Sequence, residues 1–210
     1  MRNILLLSPH PDDVELGCGG TISRLIDEGN NVYVAVFSTC KESLINGFSE
    51  KDILSENLNS LQELGVKKDN IYYFDYKVRN FFHERQNILE NIILLKNKIK
   101  PEIVFTPSTN DFHQDHKVVC VETIRAFKGY CTIYGYQLFW NLFKIDNNFL
   151  YEINNDHLNK KLLSIKKYKS QNKKSYFNPE YIKSTCLFFG NNSEYKYAES
   201  FEVIYKKMRL

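Results

Sequence analysis

Short apolar runs alternate with amphipathic stretches along most of this 210-residue chain. The runs Ile4 to Leu7 and Val32 to Phe37 are apolar at consecutive positions, as in strands buried on both faces of a sheet. Strands are predicted over 2–7, 31–38, 70–74, 102–106 and 131–137. Between and after them, apolar residues three and four apart predict helices over 17–28, 50–64, 84–99, 115–127, 157–170 and 179–185. Regular alternation of strand and helix implies a parallel sheet with helices on both faces. The expected fold is α/β, a Rossmann-like three-layer α/β/α sandwich with a mostly parallel sheet. Residues 1–210 are enough for a single domain with a sizeable core. Asn-rich pieces at 146–159 and 190–193 read as loops, and no repeat or low-complexity tract is visible.

The polar residues that interrupt this pattern gather at two strand ends. The first strand runs into Ser8-Pro9-His10-Pro11-Asp12-Asp13-Val14-Glu15-Leu16-Gly17-Cys18-Gly19-Gly20. Loops of this kind hold the ligands of open α/β sheets. His10 and Asp13 can turn toward one point, an imidazole and a carboxylate suited to zinc, with Asp12 left as a free carboxylate beside it. Helix capping would explain one aspartate, but neither His10 nor the prolines that fix the backbone on both sides of it. The fourth predicted strand ends likewise, in Asn110-Asp111-Phe112-His113-Gln114-Asp115-His116. His113 and His116 are three apart and can share a face at the start of a helix. Two His/Asp-rich loops at strand ends point to a metal-dependent site. A dinucleotide site is excluded, because Gly17 to Gly20 lacks the G-x-G-x-x-G order.

Composition adds boundaries. Hydrophobic residues make 43%, charged residues 25%, and the net charge is +3, ordinary for a soluble globule and no sign of a nucleic-acid partner. Lysines cluster at 160–161, 166–167 and 173–174. They read as a solvated helix face, with a phosphate-binding face as the alternative. Cysteines 18, 40, 120, 131 and 186 form no C-x-x-C pair and read as buried thiols in a reducing compartment. The apolar run before Ser8 is too short for a signal sequence, and no segment approaches the ~18 apolar residues of a membrane span. The expected location is cytoplasmic.

His-Pro-Asp-Asp-Val-Glu-Leu-Gly-Cys-Gly-Gly with a later His-Gln-Asp-His resembles the PIG-L/LmbE-like family of zinc-dependent N-deacetylases. Further likenesses are Glu56 with Leu64-Gly65, Arg79 to Gln86, Lys161 to Gln171 ending in Tyr-Lys-Ser-Gln, and Tyr197-Ala198-Glu199-Ser200-Phe201. The resemblance implies His10, Asp13 and His116 as ligands of one Zn²⁺ per chain. It implies Asp12 as general base. His113 becomes the second catalytic group, stabilising the oxyanion or, as a protonated imidazole, supplying a proton to the leaving amine. Asp115 orients His113, and Cys18 is structural. The implied reaction removes the N-acetyl group of an N-acetylglucosamine-type sugar or conjugate, releasing acetate. The partner is then a small N-acetyl sugar or a nucleotide- or lipid-linked one, with self-association left open. Two departures stand out. The stretch Asp52-Ile53-Leu54-Ser55 lacks the arginine that many members place before the second helix. Arg79, with Asn80 and Lys41, is expected to bind substrate instead, and Arg85 is a further candidate. Asp111 stands where some members have a tyrosine. The alternatives are another metal-dependent amidase or hydrolase on the same scaffold, such as a two-metal phosphoesterase, and a non-catalytic sugar-binding domain.

Overall fold

A computed structural model describes residues 1–45, 47–146 and 148–207. Seven strands form one sheet: β1 (Asn3–Ser8), β2 (Asn31–Val36), β3 (Ile71–Tyr73), β4 (Ile103–Pro107), β5 (Thr132–Tyr136), β6 (Phe149–Ile153) and β7 (Tyr197–Tyr205). Their order is β3-β2-β1-β4-β5-β7-β6. The first five run parallel, with Ile4 opposite both Val32 and Ile103, and β7 and β6 close the edge antiparallel. The helices are α1 (Asp13–Asp27), α2 (Glu50–Glu63), α3 (Arg85–Ile99), α4 (Gln114–Phe127), α5 (Asn155–Ile165) and α6 (Pro179–Asn191).

Alternate residues of β1 point to opposite faces, which gives the molecule two cores. Ile4 and Leu6 pack with Ile22 of α1, Leu61 of α2 and Ile182 of α6. Leu5 and Leu7 pack with Ile88 and Ile92 of α3 and Val119 of α4. The three-layer expectation therefore holds. Strand order reverses between β1 and β4, so the helices that follow them lie on opposite faces. A crevice opens where their C-terminal ends part, the place where open sheets bind ligands. Both His/Asp loops leave from that crevice.

Several boundaries differ from expectation. Helix α1 begins at Asp13, four residues earlier than predicted, so Gly17 to Gly20 lie inside a helix and not in a turn. The glycines there answer to close packing. A Cβ on Gly17 would meet the Tyr136 ring at 2.7 Å, and one on Gly19 the Lys161 stem at 2.8 Å. Lys161 is not on a solvated face. It is 3% exposed, pairs with Glu199 and donates to the Leu16 carbonyl. Glu199 also accepts from the amides of Gly20 and Thr21.

Strand β6 lies in the stretch read as loop, and α5 starts inside it behind an Asn154 capping box. Strand β7 escaped the hydrophobic pattern because Glu199, Ser200 and Glu202 are buried in it. Helix α5 ends at Ile165, five residues short of expectation. Beyond it the chain is held by side chains: Tyr168 donates to Glu15 at 2.6 Å, and the Ser170 amide and hydroxyl donate to Glu56. No helix among the described residues is long and apolar enough to cross a membrane.

Candidate active site

Pro11 and Asp12 turn the chain from β1 into α1. Asp12 sits at φ 95°, a conformation that costs a non-glycine residue about 1–3 kcal/mol. It occupies the helix N-cap position, yet its side chain caps nothing. Capping chemistry is therefore absent at the one residue where it was the simplest reading. The side chain that does tie the turn is Asp13, whose Oδ2 accepts from the His10 amide at 2.9 Å.

Three side-chain atoms meet at the crevice. His10 Nδ1 lies 3.2 Å from Asp13 Oδ2, His116 Nε2 lies 3.3 Å from the same oxygen, and the two nitrogens are 3.2 Å apart. Two ligand atoms of a tetrahedral zinc, each at ~2.0–2.1 Å from the ion, stand about 3.3–3.4 Å apart. The triangle thus has the edges that such an ion requires. Ring nitrogens of His10, His113 and His116 also lie within 4.8 Å of one another. That wider set could hold a metal too, but the spacing of the set with Asp13 fits one ion better.

Each imidazole is oriented from behind. His10 Nε2 meets Asp115 Oδ2 at 3.0 Å, and His116 Nδ1 meets Asp111 Oδ2 at 2.7 Å. A proton shared with a carboxylate on the far nitrogen leaves the near lone pair facing the triangle. The Asp115 carboxylate therefore holds His10, whereas its contact with His113, the residue it was expected to orient, is made by its backbone amide. It also accepts from the amides of Arg79 at 2.6 Å and Phe81 at 3.4 Å. Asp111, fully buried, is a site residue that the sequence reading passed over as a missing tyrosine. The signal was a carboxylate five residues before His116.

Protons compete for the triangle. Burial works against charge on His116, but Asp13 and Asp111 outweigh it and push its pKa up to about 10. Burial likewise opposes charge on His10, and hydrogen bonds to Asp115 and Asp13 hold its pKa above the usual 6.5. Burial would raise Asp13, yet His116 and His10 keep it well below the usual carboxylate range. A buried acid between two histidines that favour extra protons is a place where a cation substitutes for protons.

Two further groups stand beside the triangle. Asp12 is 8% exposed, and burial followed by repulsion from Asp13 pushes its pKa up to about 8. A dication nearby would lower it. His113 caps α4, its Nδ1 accepting from the Asp115 amide at 3.2 Å. Its remaining proton is then on Nε2. Burial and the neighbouring His116 and His10 push its pKa down to about 4. The lowered pKa favours a neutral imidazole with an N–H donor near pH 7, which suits the first of the two roles expected of His113, stabilising an oxyanion, better than the second.

A cleft of about 560 Å³ opens over these groups. Its wall includes Cys40, Ser43, Arg79, Trp140, Tyr168, Gln171, Lys174 and Tyr176. Arg79 is in place, donating to Ser43 Oγ at 2.6 Å. Lys41 and Asn80 are not in that wall, and Lys41 is turned to Asp75 on the surface. Arg85 pairs with Glu122 of α4. Sequence reading named none of Trp140, Lys174 and Tyr176 for the site.

Comparison with known proteins decides the family. The model of PIG-L, GlcNAc-PI de-N-acetylase, matches residues 5–127. The chain belongs to the PIG-L family. The matched span holds both His/Asp loops and the whole triangle. Among relatives, the chain is 29% identical to the uncharacterized deacetylase YaiS of Escherichia coli, over 80% of this chain and 91% of that one. It is 25% identical to diacetylchitobiose deacetylase of Thermococcus kodakarensis, over 97% of this chain and 84% of that one. A solved structure of GalB, the 4-carboxy-2-hydroxymuconate hydratase of Pseudomonas putida, superposes with a TM-score of 0.80 at 18% identity, covering 100% and 99% of the two chains. A PIG-L-like fold thus carries more than one chemistry, and the reaction has to be argued from the site.

Proposed function

We propose that this protein is a metal-dependent N-deacetylase that hydrolyses the acetamido group of an N-acetylglucosamine-type sugar or conjugate, releasing acetate. The observation that carries the reading is the His10–Asp13–His116 triangle with a buried, unbonded carboxylate on one side and a neutral imidazole N–H on the other. Membership of the PIG-L family and likeness to diacetylchitobiose deacetylase support the sugar amide as substrate. In this reading His10, Asp13 and His116 hold one divalent ion, zinc by the chemistry and spacing of the donors. Bound there, the ion supplies Lewis acidity toward a water and an amide carbonyl.

The remaining work falls to the chain. Asp12 takes a proton from the attacking water as its oxygen bonds to the carbonyl carbon. Its carboxylate makes no hydrogen bond among the described residues, so its lone pairs are available. His113 Nε2–H donates to the oxygen on which negative charge develops, a role that needs a neutral donor in place. When the C–N bond breaks, Asp12 returns its proton to the departing nitrogen. Water and amide are thereby converted to acetic acid and amine, and the proton that the acid gives up as it leaves as acetate goes to the amine or to solvent. Arg79 lies in the cleft wall and binds sugar hydroxyls at the rim. Residues 1–210 act as a single domain in this reading, and the chain works in the cytoplasm.

The test is metal analysis of the purified protein combined with acetate release from a panel of N-acetyl sugars. One equivalent of metal and acetate release that chelator abolishes and zinc restores are expected. A metal-loaded protein that releases no acetate from any N-acetylglucosaminide, neutral or acidic, would end this reading.

A further inference from the structure

A second cavity, of about 600 Å³, opens at the opposite end of the sheet from the cleft. Its wall is formed where β1, β4 and β5 begin and where β7 ends. The 6 residues of β1, at ~3.3 Å each, keep it about 20 Å from the metal loops. Four cations line it: Arg2, Lys100, Lys206 and Lys207. Among the described residues the one carboxylate in the same wall is Glu102. Four positive charges less one negative leave +3, which equals the net charge of the whole chain. The basic excess of this protein is therefore gathered in one concavity, and elsewhere positive and negative residues balance. Among the described residues none of the four cations has a carboxylate within ion-pair distance, whereas Lys160, Lys161 and Lys167 are each paired.

Several of these groups are held in advance. The Arg2 amide donates to Asn30 Oδ1 at 3.1 Å. The Lys207 amide donates to Thr132 Oγ1 at 3.2 Å, and its ammonium to the carbonyls of Gly129 and Tyr130, each at 3.0 Å. Those carbonyls fix the ammonium without cancelling its charge, and they leave it a further N–H to donate. Lys100 ends α3 at φ 52°, a left-handed position that helices usually give to glycine. A lysine kept in that strained conformation brings a cation to the cavity wall. Two phenols, Tyr130 and Tyr134, add hydroxyl donors. A concavity lined by one sign of charge concentrates the opposite ion. Its size is that of a small-molecule site, and the balanced charge elsewhere leaves no long basic track of the kind that nucleic acids require. Three surplus positive charges match two linked phosphates, which carry about −3 near neutral pH. We propose that this cavity is a second, non-catalytic site that binds a diphosphate group, as inorganic diphosphate or as the diphosphate of a nucleotide. The site stands independently of the deacetylase reading.

The experiment is calorimetry on zinc-loaded full-length protein with inorganic phosphate, inorganic diphosphate and ADP. Both diphosphates should bind at one site, about tenfold or more tightly than phosphate, since the second phosphate adds at least one charge-assisted hydrogen bond. Equal affinity of the two assigns recognition to the diphosphate alone, and tighter ADP adds a contribution from the nucleoside. Lys100→Gly combined with Lys206→Gln should weaken both by about tenfold or more, and Lys206→Gln alone should lose part of that. Glycine suits the backbone at residue 100 and Lys206 is exposed, so thermal melting and metal content should match wild type. Lys51→Gln combined with Lys183→Gln removes the same charge from exposed positions elsewhere and should bind as wild type does. The proposal is overturned if neither diphosphate binds, or if phosphate binds as tightly as they do. It is overturned if Lys100→Gly with Lys206→Gln keeps full affinity, which would put the anion on the zinc. Equal weakening by the two double variants would also overturn it, as the sign of diffuse surface charge. So would a short single-stranded RNA that binds more tightly than ADP, the sign of a nucleic-acid track.

Discussion

The two sides of the cleft are built on different terms. On the metal side, His10 and His116 each meet a carboxylate through the far nitrogen, Asp115 and Asp111. Those carboxylates are themselves tied to the amides of Arg79 and His113. The Ser108–Thr109 turn just ahead is fixed by Glu202 of β7. On the opposite wall the clamps reach the backbone but leave the tips free. Tyr168 and Ser170 are anchored, while Gln171, Lys174 and Arg79 present polar ends to the cleft with only light ties. Reacting groups gain from being held by locked neighbours, since misplacement by a fraction of an ångström is costly. Recognition groups can remain adjustable, so variation in substrate is expected to map to the second wall and variation in chemistry to the first.

The largest effect should come from removing a corner of the triangle. His116→Ala deletes the corner of the proposed metal triangle with the least exposure and strands the Asp111 carboxylate. Metal content should fall sharply, and acetate release should drop by about three decades or more, the scale of Lewis-acid assistance. Retention of one tightly held metal with near-normal turnover would show that groups outside both the triangle and the three-histidine set, which share His116, hold the ion. Next in size is Asp12→Asn. Asn tolerates positive φ better than most residues, and no hydrogen bond is lost, so the melting temperature and metal content should change little. Turnover should fall about two to four decades, the usual worth of a general base. Normal kcat in this variant would place the base elsewhere.

The same contrast explains what could be read from sequence. Strands β1 to β5 announce themselves by apolar runs, and the two His/Asp loops by their place after β1 and β4. What stayed hidden is polar and buried. Strand β7 carries Glu199 and Glu202 inward, so it does not look like a strand until their partners, Lys161 and the Ser108–Thr109 turn, are known. Asp111 is legible only when His116 is seen to need a proton acceptor behind it. Asp115 was assigned to its sequence neighbour His113, but its side chain crosses to His10, 105 residues away in the chain. Lys174 was one of a run of lysines, and only the clamps at Tyr168 and Ser170 set it apart. Local pattern specifies elements, whereas a buried acid is explained by a partner from a distant segment.

Asp111→Asn tests how much the locking matters. Asp111 uses Oδ1 for the His113 amide and Oδ2 for His116 Nδ1, whereas Asn has a single acceptor oxygen, so one of these bonds is lost together with the negative charge. Metal affinity should weaken about 10- to 100-fold, as when other carboxylates behind ligating histidines are changed. Competition with a chelator measures this directly, and kcat at saturating metal should recover most of its value. Unchanged affinity would show that neither the carboxylate charge nor the second hydrogen bond sets the strength of the site.

Smallest is Arg79→Ala, on the adjustable wall. The backbone amide of Arg79 bonds Asp115 and remains in the variant, so the orientation of His10 should be kept. The guanidinium donates to Ser43 on a neighbouring loop, and exposed polar contacts of this kind contribute little to stability. Its loss should therefore act on substrate grip. KM should rise about two- to tenfold, equivalent to one hydrogen bond of ordinary strength, with kcat nearly constant. The rise should be similar for acidic and neutral N-acetylglucosaminides if Arg79 binds hydroxyls. A KM increase confined to the acidic substrate would show that Arg79 binds an acidic group and not hydroxyls. A fall in kcat alone would mean that the loop carrying Arg79 positions the metal side after all, and the division between a locked wall and an adjustable one would not hold.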